Sequence, residues 1–340
     1  MMWAVMLCAG AWVLCAGQAK GRDATPRAKK PPAAAGAPRT RPARNLGPTP
    51  ESVMEVHPPT HLNVAYGPHK RNILNLWLVK SDKPTPLVIR IHGGGFMSGG
   101  PTPPVMLEEY LKAGISVGSI TYRFSTEAPF PAQMLDCARA VQFLRSKAKE
   151  WNLDTTRFGA MGGSSGAGIS LWLGFHDDMA NPNGADPLER ESTRLACMAV
   201  NQAQISYDPR WIRQNIPGPG WRVGPLWQLY GLKAPTTEMP EISPAVGKLM
   251  EEASPINYLT QDDAPVRIIF ITDDIEGRLD ENGSIHHARN GSILKKKMDE
   301  LGIPCELTLK AAAKEVPEDV TYFVKQFARP TPPPTSSKGN

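Results

Sequence analysis

Cysteine is scarce in this chain, with five in 340 residues, and two of those, Cys8 and Cys15, fall in an apolar start. The other three, Cys137, Cys197 and Cys305, are scattered through stretches of helix or strand character. Such spacing excludes a disulfide framework and reads as small core hydrophobes. No Cys/His cluster has metal-ligand spacing, so neither a structural zinc nor another metal is expected. The run Asp177, Asp178, Asp186, Glu189 and Glu191 matches no calcium loop and reads as a solvated face. Internal repeats are absent too, which excludes a solenoid. Positive charge is missing where its total points to it. The formal net charge is +5, yet residues 20–44 hold eight Lys/Arg against one acid, Asp23. Outside that stretch 30 basic residues face 32 acidic ones. The folded part therefore has no bias toward polyanions, and nucleic acid is not an expected partner.

Charge is also absent from residues 1–19, which end in the small-residue site Gly17-Gln18-Ala19. The stretch is short for a bilayer span and reads as a secretory signal peptide with a weak n-region. A secreted or periplasmic location follows, with no stable membrane span in the mature chain; an uncleaved anchor is the alternative. Cys8 and Cys15 each follow a leucine, which argues against lipidation. Residues 20–60, rich in Pro, Ala, Arg and Lys, are expected to form an extended linker, and residues 330–340 a disordered tail.

What remains, residues 61–329, is apolar enough for one packed domain. Short apolar runs at Leu87–Ile91, Ser116–Tyr122, Arg157–Met161, Leu195–Asn201, Val266–Ile271 and Cys305–Leu309 read as strands, and Asn72–Val79 as an antiparallel one. Met134, Cys137, Ala138, Val141, Leu144, Ala148 and Trp151 recur at helical spacing, as do Val320, Phe323, Val324 and Phe327. The alternation predicts an α/β fold: a mostly parallel twisted sheet with helices on both faces. Residues 207–254, with Trp211, Trp221, Trp227 and Tyr230 among many Pro and Gly, break the pattern. They read as an insertion lying over the sheet's C-terminal edge as a lid, or as an insertion whose aromatics pack its own small core.

Two motifs carry chemistry. RIHGGGF, Arg90–Phe96, places three glycines straight after a strand. MGGSSGAG, Met161–Gly168, sets Ser164 in a G-x-S-x-G frame between a strand and a helical pattern. That is the context of a nucleophile elbow, where a sharp turn exposes the serine oxygen. A serine hydroxyl needs a base for its proton and donors for the oxyanion formed on attack. The backbone N–H of Ser165 is one candidate donor, and Gly93 and Gly94 are the others. His92 is read as orienting the glycine loop, not as the base.

Together these stretches resemble the α/β-hydrolase superfamily, in its hormone-sensitive-lipase-like and bacterial acetyl or feruloyl esterase branch. The resemblance spans about residues 70–330 and includes Tyr122-Arg123, Pro131-Ala132, Asp154 with Arg157, and the stretch Ser254 to Asp274. It implies an α/β-hydrolase fold, Ser164 as nucleophile, Gly93, Gly94 and Ser165 as the oxyanion hole, and Asp274 as the acid with Asp273 as the neighbouring option. It implies no cofactor. The chain departs from the pattern at the histidine. After the last strand it reads LKAAAKEVPEDV, with Lys314 where the family's His stands, and no histidine follows His287. His286 and His287 are the candidates for the base; a surface pair, or packing against the helix around Ile293–Met298, is the other reading. His176, on the elbow helix, is expected to point elsewhere. Lys314 could act only if burial lowered its pKa strongly, and a solvated lysine is the alternative.

The expected function is carboxylic-ester hydrolysis through an acyl-serine, on a small-molecule or carbohydrate ester. The alternative is a non-catalytic relative that binds an ester or carbohydrate with the retained fold.

Overall fold

Strand-forming runs and helical periods assemble as the sequence predicts. In the computed structural model, which describes residues 49–310 and 318–329, the order is α1 (Pro50–Val56), β1 (His61–Ala65), β2 (Ile73–Trp77), β3 (Thr85–Ile91), α2 (Leu107–Lys112), β4 (Ser116–Ile120), α3 (Ala132–Ser146), β5 (Leu153–Gly163) and α4 (Ser165–Phe175). There follow β6 (Cys197–Asn201), α5 (Pro209–Asn215), α6 (Gly224–Gln228), α7 (Pro244–Ala253), β7 (Val266–Ile269), α8 (Glu281–Ile285), α9 (Arg289–Glu300), β8 (Cys305–Thr308) and α10 (Glu318–Phe327). The expected signal peptide, residues 20–48 of the linker, Lys314 and the C-terminal tail lie outside the described residues.

The strands form one sheet in the order β1-β2-β4-β3-β5-β6-β7-β8. β1 and β2 are antiparallel to their neighbours, and β3 to β8 are parallel. Alternation along β3 divides the core. Ile89 and Ile91 face α3 and α4, whereas Val88 packs with Val53, Leu107, Tyr110 and Phe323 on the other side. Both faces are covered, which is why the strands read as nearly continuous apolar runs. α4 is buried along its whole length, so it is apolar all round and not amphipathic. Cys137, Cys197 and Cys305 are free and buried. Among the described residues no helix is long and apolar enough to cross a membrane.

Two departures concern the edge. Residues 50–56, assigned to the linker, fold as α1: Thr49 caps it, and Val53 buries against the sheet. β1 was not anticipated, because its exposed residues mask the alternation of a half-buried strand. The insertion carries α5, α6 and α7. Its Trp221, Trp227 and Tyr230 are buried, and Trp227 Nε1 donates to the Trp221 carbonyl at 2.8 Å. These aromatics pack inward into the same cluster as Ile89, Ile91 and α3, so the insertion does not have a core of its own.

Parallel pairing fixes where chemistry can occur. β3, β5, β6 and β7 all end at the same sheet edge, so the segments that follow them converge there.

Candidate active site

Ser164 occupies the corner between β5 and α4 with φ 53 and ψ −124. That conformation costs a non-glycine residue about 1–3 kcal/mol and persists only where the surroundings impose it. Here the Ser164 N–H donates to the Asn201 carbonyl at 3.0 Å, and the Ser164 carbonyl accepts from the Gly168 N–H at 3.1 Å. The corner also requires Gly166. A Cβ at that position would lie 2.2 Å from the Ile91 carbonyl oxygen, so the helix start could not close onto β3.

Ser165 opens α4, where the first N–H groups have no partner within the helix. Gly93 lines the cleft beside Ser164. Gly94 has φ +103, and its carbonyl accepts from the Met97 and Ser98 N–H groups, so the glycine loop is a tight turn. His92 braces it from below. Its Nδ1 lies 2.8 Å from the Gly93 carbonyl and its Nε2 3.0 Å from Thr121 Oγ1, and the ring stacks on Tyr122 at 4.4 Å. Burial pushes the His92 pKa down to about 4, with the nearby Arg90 and Arg71 charges adding to the effect. The Tyr122 hydroxyl donates to the His92 carbonyl at 3.0 Å, and Arg123 grips Asp136 of α3 at 2.7 Å. The Tyr-Arg pair thus ties the strand end to the glycine loop and to the helix behind it.

His286 Nε2 lies 2.8 Å from Ser164 Oγ, although 122 residues separate the two in sequence. His286 Nδ1 lies 2.9 Å from the Asn282 carbonyl oxygen. A carbonyl only accepts, so Nδ1 carries the hydrogen and Nε2 turns its lone pair to the serine hydroxyl. The adjacent His287 faces the other way and is fully buried. Its Nδ1 accepts from the Arg289 N–H at 3.1 Å, which leaves Nε2 to donate to the Gly277 carbonyl at 2.9 Å. Both its nitrogens are used in holding the segment between β7 and α9. Of the two candidates, His286 reaches the serine and His287 does not. His176 stacks between Trp172 and Tyr258, away from the site.

The carboxylates depart from expectation. Asp274 Oδ1 accepts from the Gly277 N–H at 2.7 Å and the Glu276 N–H at 3.1 Å. These two bonds hold the exposed carboxyl below its usual pKa range. Asp273 pairs with Lys310 at 3.3 Å. The group that faces His286 Nδ1 is a backbone carbonyl, in the place where a carboxylate was expected. The physical reason is local: a short aspartate followed by free N–H groups closes its own turn before it can reach across.

Two further groups place His286, and sequence reasoning missed both. The buried Gln204 Nε2 donates to the Gln202 carbonyl at 3.0 Å and to the Ile285 carbonyl at 3.3 Å. It therefore ties the residue before His286 to the segment after β6. Arg222, in the insertion, pairs with Glu281 of α8 at 3.0 Å. The insertion also reaches the glycine loop, where Pro225 lies against Gly95, and the segment before α3, where the Phe130 N–H donates to the Leu229 carbonyl at 2.8 Å. The available signal for Gln202 and Gln204 was their position just past a strand end at the C-terminal edge. Ser164 and His286 open on a cleft of about 500 Å³, lined also by Arg90, Gly93, Asn201 and Gln202.

Comparisons with known proteins bear on the fold. A protein-family model described as BD-FAE matches residues 74–206, from β2 to just past β6. The chain is similar to esterase LipQ of Mycobacterium tuberculosis, 24% identical over 213 residues, which is 61% of this chain and 47% of that protein. It is also similar to carboxylesterase NlhH of the same organism, 32% identical over 105 residues, 30% of this chain and 32% of that one. The matched region thus spans about half or less of these relatives. Among solved structures, an acetyl ester-xyloside bifunctional hydrolase from Caldicellulosiruptor lactoaceticus superposes with a TM-score of 0.60 at 22% identity, covering 74% of this chain and 87% of that one. A thermophilic esterase from Thermogutta terrifontis, bound to propionate, gives 0.57 at 16% identity over 79% and 95%.

Proposed function

We propose that this chain, which has the α/β-hydrolase fold, hydrolyses carboxylic esters through an acyl-serine intermediate, with Ser164 as nucleophile and His286 as base. The observation that carries the proposal is the 2.8 Å contact of Ser164 Oγ with an imidazole whose other nitrogen is bonded to a carbonyl. Ser164 Oγ attacks the ester carbonyl carbon, and its proton passes to His286 Nε2. The negative charge that develops on the carbonyl oxygen meets the N–H groups of Gly93, Gly94 and Ser165. The C–O bond then breaks, and the leaving alkoxide takes the proton from His286. Water, deprotonated by the same imidazole, attacks the acyl-serine, and the carboxylic acid leaves as Ser164 recovers its proton.

The Asn282 carbonyl performs the orienting part of the usual acid's role: it fixes the tautomer and stabilises the imidazolium through one hydrogen bond. It carries no full charge, so the turnover is expected to be lower than that of a complete triad. The proposed substrate class is a small-molecule or carbohydrate ester; similar proteins are named an esterase and an acetyl ester-xyloside hydrolase. The insertion, in this reading, acts by bracing both the glycine loop and α8.

A fluorophosphonate probe tests the proposal. Peptide mapping should find the adduct on Ser164, and Ser164→Ala should remove both labelling and turnover of phenyl acetate. A folded wild-type protein that neither labels nor turns over would favour the non-catalytic, ligand-binding alternative.

A further inference from the structure

Arg90 is a half-buried cation in the same cleft as Ser164 and His286, and it has no carboxylate partner among the described residues. It stands on β3 two residues before His92, on the strand face that carries Val88. Nη1 donates to the Thr102 carbonyl at 3.0 Å, which occupies one of the five N–H groups of a guanidinium. Burial lowers its pKa from the ordinary value, and no acid offsets that effect. The contrast with other arginines on or beside the sheet is direct. Arg123 holds Asp136 at 2.7 Å, and Arg267 lies 3.4 Å from Glu306 and from Asp319. A partly desolvated charge without a counter-charge is costly, and an anion entering the cleft would relieve that cost.

The rest of the lining fits an anion. No acidic side chain is among the residues that line the cleft. Gln202 Oε1 accepts from the Ile271 N–H at 3.1 Å, which fixes the amide so that its NH₂ end is the free donor. A guanidinium and an amide NH₂ on one cleft, together with the neutral Asn201, form a donor-rich wall beside the reacting serine.

We propose that the cleft selects esters that carry a carboxylate, and that Arg90, with the Gln202 amide, determines this specificity. The inference rests on the ester-hydrolase reading and adds the substrate class to it. The carboxylate belongs to the part of the ester that lies in the cleft, so the bound anion is held while Ser164 attacks the ester carbonyl.

Two matched pairs of substrates test it. The mono-p-nitrophenyl ester of adipic acid against p-nitrophenyl hexanoate places the charge in the acyl part. 4-Carboxyphenyl acetate against phenyl acetate places it in the alcohol part. In one pair the ratio of kcat/KM, anionic over neutral, should fall in Arg90→Gln by on the order of tenfold to a hundredfold, the usual worth of a charge-assisted hydrogen bond. The fall should lie mainly in KM, and added NaCl should reduce the wild-type ratio. Equal ratios in wild type and variant for both pairs would overturn the proposal. If Arg90→Gln does not fold, the wild type alone decides: adipate should inhibit phenyl acetate hydrolysis and adipamide should not, and equal inhibition by the two, or none by adipate, overturns it. If no ester turns over, the hydrolase reading fails separately. Calorimetric binding of adipate to the wild type, weaker or absent for adipamide, then still supports the anion site, and no adipate binding overturns it.

Discussion

Ser164 stands on the buried centre of the sheet, whereas His286, its proposed base, stands just past a helix of five residues at the rim. Around Ser164 the fixing contacts are backbone against backbone, Gly166 against Ile91 and the Ser164 N–H on Asn201, with the glycine loop braced by the buried His92 side chain. Around His286 they are side chains, two from distant segments, Gln204 after β6 and Arg222 in the insertion, and one adjacent, His287 on Gly277. The first region is held by packing that a short motif encodes. The second is held by a few polar bonds that exist only once the chain has folded. Strain can be stored at Ser164 because its surroundings are dense, and a histidine from an unusual place can reach it because the rim is not.

The comparison predicts different responses to acid. The folded pKa of His92, about 4, lies below the ordinary value near 6.5. Between those values the unfolded chain binds a proton that the folded chain does not. The stabilisation from neutral His92 is therefore present above pH 6.5 and is lost as the pH falls through about 4. Its size is on the order of 3 kcal/mol. Asp263 acts with the opposite sign in the same window. Burial pushes its pKa up to about 7, so its contribution is present at low pH and lost as the pH rises through that value. The difference in urea stability between wild type and His92→Asn isolates the first effect, and it should shrink as the pH is lowered from 7 to 4. A difference that stays constant would show that the glycine loop is not braced by a neutral imidazole.

On the rim, His287→Ala should cost about 1–3 kcal/mol in urea unfolding, because the Gly277 carbonyl and Arg289 N–H lose a buried partner. Its effect on ester turnover should come through the position of α8 and be restored in part by His287→Asn. The smallest effect is expected at the carboxylate. Asp274→Asn should change kcat by less than about threefold, where removal of a triad acid costs about 10⁴. A loss of that larger size would put Asp274 onto the imidazole and erase the difference between the two regions.

Legibility in the sequence follows the same division. The parallel strands, α3, the elbow and the glycine loop were readable because each is a local pattern: an apolar run, a helical period, or glycines where a backbone must pass close. α8, Glu281–Ile285, has neither apolar periodicity nor length, so nothing local marks the segment that carries His286. The adjacent histidines could be named as candidates but not separated, since which of them turns inward depends on Gly277, Asn282 and Gln204. The acid expectation is a related case. Resemblance locates an aspartate on the chain, whereas the turn it closes with Glu276 and Gly277 decides which way it faces.

The central claim is that His286 is the base of Ser164, and ester turnover by His286→Ala tests it most directly. The account predicts a loss of about 10²–10⁴ in kcat. The melting temperature should be close to that of the wild type, and added imidazole should restore part of the rate. Wild-type turnover by a folded His286→Ala protein would contradict it.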